Sequence, residues 1–134
     1  MNHMYNEFLI SDDKSLIDVD IVCKFLSRSH WANKRSAETI IKSIHHSICF
    51  GIYESRRQVG FARIVTDGAT IYYLCDVFID EEFRGKGLGK KLVELITKEY
   101  EGISGILRTL DAHSLYEQYG FKKDAERFMN SVPK

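Results

Sequence analysis

Arg84-Gly85-Lys86-Gly87-Leu88-Gly89-Lys90 brings three glycines and three cationic side chains into seven consecutive residues. Glycine lacks a Cβ, so an anion can come close to the backbone there. The segment stands where an apolar-patterned strand gives way to an amphipathic helix. The free N–H groups of a first helical turn point outward with the helix dipole behind them, which is chemistry suited to a phosphate or pyrophosphate. Two other glycine loops fail on spacing. A Walker loop, G-x-x-x-x-G-K and then Ser or Thr, would need glycine at the fifth residue after Gly85, which is Lys90, followed by Lys91. A dinucleotide fingerprint, G-x-G-x-x-G, would need glycine three residues after Gly87, where Lys90 stands again.

The surrounding pattern supplies the elements that must position this loop. Val19, Val22, Phe25 and Leu26 recur at helical spacing, with Asp18 placed to cap their first turn. A second helix carries the stripe Ala37, Ile40, Ile41, Ile44 and Ile48, with Ser36 as its cap and Lys42, His45 and His46 toward solvent. The period then changes to two. Residues 48–53 and 59–65 read as hairpin strands around a polar turn, and Asp67-Gly68 turns the chain into a longer strand at 69–79. Leu88, Leu92, Leu95 and Ile96 stripe a third helix, which Gly102 and Gly105 help to break. A short strand at 106–110, a helix capped by Asp111 and ended by Gly120, and a closing strand at 121–129 complete the pattern. The expected fold is α/β (α+β): one mixed, mostly antiparallel sheet flanked by about four helices.

The length of 134 residues predicts a single domain spanning 1–134. Lys plus Arg and Asp plus Glu both number 19, so the chain is formally neutral, which argues against coating nucleic acid or anionic membrane. Cys23, Cys49 and Cys75 form no C-x-x-C pair and suit a reducing cytoplasm. The first residues are acidic where a signal peptide would be basic, and no apolar run approaches a membrane span, so a cytoplasmic location is expected. His45 and His46 lack spaced partners and read as surface residues, with no metal site expected.

Arg84, Gly87 and Gly89 match (Gln/Arg)-x-x-Gly-x-(Gly/Ala), which resembles the acetyl-coenzyme A loop of the GNAT acetyltransferase superfamily. Residues 74–89 look like that family's fourth strand and pyrophosphate loop, and Leu115-Tyr116-Glu117-Gln118-Tyr119-Gly120-Phe121 looks like its L-Y-x-x-x-G-F segment. The resemblance implies an acyl-coenzyme A N-acyltransferase fold in which the fourth and fifth strands splay apart around acetyl-coenzyme A. It implies that the backbone of Val77, Phe78 and Ile79 binds the pantetheine arm. It also implies that Arg84, Gly85, Lys86, Gly87, Leu88, Gly89 and Lys90 bind the pyrophosphate.

The same resemblance implies N-acetyl transfer to a primary amine of a small molecule or protein, by direct attack and with no covalent enzyme intermediate. Tyr116 matches the family's general acid, which protonates the departing thiolate. The position seven residues upstream, often Asn in the family, is Thr109 here. Asp76, a carboxylate in an apolar strand, could act on the amine, cap a bulge, or pair with Arg63. Tyr73 is the other local candidate, on the opposite strand face unless a bulge intervenes. Cys75 reads as core and not as a nucleophile. His113 could relay a proton but reads as a surface residue. Trp31, the only tryptophan, either lines the acceptor pocket or plugs the core, and His30 or Arg35 could orient a carboxylate. The alternative is a non-catalytic coenzyme A binding module of the same fold. Neither nucleic acid nor membrane is an expected partner, and monomer and homodimer both stay open.

Overall fold

The computed structural model describes residues 1–133. Six strands lie in the order of the sequence: β1 (Asn2–Tyr5), β2 (Phe8–Ser11), β3 (Ile48–Glu54), β4 (Arg57–Thr66), β5 (Ile71–Ile79) and β6 (Ser104–Ile106). The first four pairings are antiparallel and β5–β6 is parallel, which is the mixed, mostly antiparallel sheet expected. The helices are α1 (Val19–Ser27), α2 (Ala37–His45), α3 (Leu88–Glu99) and α4 (His113–Glu117). No helix among the described residues is long and apolar enough to cross a membrane.

The sheet buries both faces. Val22, Phe25, Leu26, Ile40 and Ile44 of α1 and α2 pack with Cys49, Phe61 and Phe78 on one face. Leu88, Leu92, Val93 and Ile96 of α3 pack with Phe50, Ile52, Ile64 and Leu74 on the other. Burying each such side chain is worth about 2 kcal/mol. Phe25 stacks on Phe78 at 5.1 Å, which ties α1 to the end of β5.

Asp18 and Ser36 cap α1 and α2 through their side chains, as the sequence predicts. The α2 stripe is narrower than expected, because Ile41 is exposed and Ile48 begins β3. Three further expectations change. The strand expected at 106–110 forms earlier, at Ser104–Ile106, where Gly105 lies against the Tyr72 ring so closely that a Cβ would stand 2.5 Å from it. Asp111 does not cap α4: Ala112 is the cap residue, and its N–H donates to Thr109 Oγ1. The closing strand at 121–129 is not formed. There Asp124 accepts from the Arg127 N–H and forms an ion pair with its guanidinium, which turns the chain.

Candidate functional site

β5 is paired with β6 only through Ile71, Tyr72 and Tyr73, so from Leu74 onward its edge on that side has no strand neighbour. Its register against β4 also shifts: Phe78 faces Phe61 and Cys75 faces Arg63, which leaves Asp76 and Val77 opposite Ala62. This is a β-bulge, and Asp76 takes φ 55° within it. Asp tolerates that left-handed conformation better than most residues. The bulge resets the alternation of side chains, so Tyr73 and Asp76 line the same cleft.

Two clefts open beside the free edge of β5. The first, about 580 Å³, is lined by Arg28, Phe78, Gly85, Leu88, Lys90 and Tyr116, among others. Gly87 caps α3 at φ 79° with no side-chain hydrogen bond, so the first N–H groups of that helix are left for a ligand. Gly85, at φ 80°, has no heavy atom within 4 Å of where a Cβ would stand, whereas a Cβ on Gly87 would meet Tyr5 Oη at 3.1 Å. Neighbouring acids are already engaged: Glu81 with Arg28, and Asp80 and Glu82 with Arg57. Lys86 and Lys90 stand beside the helix start with no carboxylate partner among the described residues. Arg84 is held back toward the strand, its Nε donating to Ile79 O at 2.9 Å and its guanidinium lying 5.1 Å from the Phe78 ring centre. An unpaired strand edge leading to an uncapped glycine turn fits an extended arm joined to a pyrophosphate, as in acetyl-coenzyme A.

The second cleft, about 610 Å³, has walls that include Trp31, Arg35, Tyr73, Asp76, Arg108 and Tyr116. Asp76 is buried and has three donors: Trp31 Nε1 to Oδ1 at 2.9 Å, Arg35 Nη1 to Oδ2 at 2.8 Å and Arg63 Nε to Oδ2 at 2.9 Å. Burial pushes its pKa up, but the hydrogen bonds and charges of Arg63 and Arg35 outweigh burial and hold it below the usual carboxylate value. Trp31 sits on the rim, 43% exposed, and is not a core plug. Cys75 also lines the cleft, but burial pushes its thiol up to about 11. Val77 and Tyr116 line both clefts, so the two meet there. Burial, with the charge of Asp111, raises the Tyr116 phenol above its ordinary pKa.

Of the residues singled out from the sequence, the structure gathers Trp31, Tyr73, Asp76 and Tyr116 around one cleft and the glycine loop beside the other. His113 lines a further cavity toward the C-terminal segment, which adjoins the second cleft at Arg108 and Tyr116. Arg108 was not foreseen, and its Nε donates to Tyr73 Oη at 3.1 Å. The sequence pattern places it inside the strand expected at 106–110, whereas it stands two residues beyond β6.

Residues 45–123 match the family model described as acetyltransferase (GNAT) domain. A Gibberella zeae protein assigned as an acetyltransferase is 30% identical over 129 residues, covering 81% of this chain and 73% of that protein. The crystal structure of a Xanthomonas campestris protein assigned to the GNAT family is 34% identical with a TM-score of 0.90, covering 97% of this chain and 96% of that one. A Deinococcus radiodurans protein assigned as an acetyltransferase shares the fold, with a TM-score of 0.76 at 16% identity and full coverage of both chains. The chain belongs to the GNAT acetyltransferase family.

Proposed function

We propose that this chain transfers an acetyl group from acetyl-coenzyme A to a primary amine of a small molecule or protein. The observation that carries this reading is the position of Tyr116, at the junction of the glycine-loop cleft and the cleft around Asp76. Bound acetyl-coenzyme A supplies an activated acetyl group, whose carbon bonds to the amine nitrogen as its bond to sulfur breaks. The Tyr116 hydroxyl donates its proton to the departing sulfur. Its raised pKa keeps that proton in place throughout the neutral range. The N–H groups of Leu88, Gly89 and Lys90, with Lys86 nearby, hold the pyrophosphate, and the backbone of Val77, Phe78 and Ile79 pairs with the pantetheine arm.

Cys75 stays a thiol near neutral pH, which supports direct attack without an acyl-enzyme. Asp76, fully engaged and a weak base, fixes the bulge and orients Trp31 and Arg35 in the cleft wall. The amine proton leaves to water in the open cleft, along a route that Tyr73 lines.

Free thiol release from acetyl-coenzyme A, followed against a panel of amines, tests the reading. Tyr116→Phe should lower kcat at least about 100-fold while leaving coenzyme binding within about twofold. In the wild type the rate should not fall between pH 7 and about 9, because the acid keeps its proton there. Equal turnover in the variant would remove Tyr116 from the acid role.

A further inference from the structure

The cleft around Asp76 has more cation than it can neutralise. Arg35, Arg63 and Arg108 all line it, against the carboxylates of Asp76 and Asp111. Arg63 is committed: its Nε donates to Asp76, its Nη1 donates to Ser47 Oγ at 3.1 Å, and its side chain is 14% exposed. Arg35 shares the same Asp76 oxygen but commits only Nη1 to it, and its side chain is 31% exposed. One carboxylate thus serves two guanidiniums, so this partly buried cluster keeps a net positive charge where charge interactions are stronger than in open water.

Arg108 adds to that excess. It donates Nε to the Tyr73 hydroxyl and has no acidic partner among the described residues. Arg28, Arg57 and Arg127, elsewhere on the surface, each meet a carboxylate. Tying Nε to Tyr73 fixes the plane of the guanidinium and leaves both Nη groups for another acceptor. A guanidinium held in this way is suited to an oxyanion, which it can grip through two parallel hydrogen bonds. Asp111 lines the same cleft without an ion pair among the described residues, and it offers a counter-charge to an amine before that amine loses its proton.

We infer that the acceptor amine carries an oxyanion, a carboxylate or a phosphate, in the same molecule, and that Arg35 and Arg108 hold it while Trp31 and Tyr73 form the adjoining wall. The inference rests on the acetyltransferase reading and narrows its substrate class to anionic amines. Arg35 and Arg108 are specificity residues in it and take no part in the bonds that change.

Matched amine pairs test it at saturating acetyl-coenzyme A: an amino acid against its amide, and phosphoethanolamine against ethanolamine, with thiol release as the readout. The anionic member of at least one pair should be favoured about 10- to 100-fold in kcat/KM, chiefly through KM. The pair that shows the preference tells carboxylate from phosphate. Arg108→Ala, at an exposed position, should reduce that preference to within about threefold, and Arg108→Lys should restore only part of it, because lysine keeps the charge but loses the fork. Thiol release that ignores the anionic group overturns the inference alone. A preference undiminished in both Arg108→Ala and Arg35→Ala overturns the assignment of these residues. No release with any amine overturns the acetyltransferase reading and the inference with it.

Discussion

Asp76 is held by three donors and adopts φ 55°, so two unfavourable conditions, burial of a charge and a left-handed backbone, are offset at one residue. Asparagine tolerates the same φ and has nearly the same shape, so Asp76→Asn isolates the charge. It should destabilise the fold by about 3 kcal/mol, measured by urea unfolding at pH 7, because Arg63 is left buried without its counter-ion. The sign with pH follows from the lowered pKa: the carboxylate's contribution is fully present above the unfolded value near ~4 and disappears as pH falls through the folded value. The variant and the wild type should therefore converge in stability toward acid, and a constant difference from pH 7 to about 2 would contradict this account. The sequence marks Asp76 because a carboxylate in an apolar strand needs partners, and it offers Arg63 because the two strands are neighbours. Trp31 and Arg35 come from the α1–α2 connection and Arg108 from beyond β6. Their meeting depends on how distant segments pack, which local pattern does not encode.

At the scale of elements, the proposed coenzyme site centres on the start of α3. Gly85 and Gly87 both have positive φ, and alanine in that conformation costs about 1–2 kcal/mol. Gly87→Ala must also displace the Tyr5 hydroxyl, whereas Gly85→Ala meets only open space. Thermal unfolding should show the larger loss for Gly87→Ala, and calorimetry should show weaker coenzyme A binding for both. Unchanged affinity in both variants would detach the loop from the coenzyme. Caps whose logic is confined to one turn, Asp18 and Ser36, are legible in the sequence and form as read. The start of α4 is not, because the Thr109 hydroxyl takes the N–H of Ala112 while Asp111 stays out. The segment at 121–129 carries apolar residues like a strand, but a strand needs a neighbour, and the Asp124–Arg127 turn takes its place. The N-terminal hairpin of β1 and β2 adds an edge to the sheet and brings Tyr5 beneath the glycine loop.

Across the whole molecule, the decisive feature is the parting of β5 from β6 after three residue pairs, fixed in place by helices on both faces of the sheet. Hydrophobic period marks β5 and a short strand near β6, placed too late at 106–110, but carries nothing about where the two separate. The resemblance of residues 74–89 to the family's strand and loop implied that opening, and the register of β5 against β6 contains it. Coenzyme filling the opening should act as a further strand and should slow amide exchange over residues 74–79. The central claim is that the unpaired edge of β5 and the start of α3 together form a coenzyme A site, and a calorimetric titration of the wild-type chain with coenzyme A tests it most directly. The account predicts saturable binding at one site with a dissociation constant in roughly the micromolar range. The absence of binding heat up to about millimolar coenzyme A would contradict it.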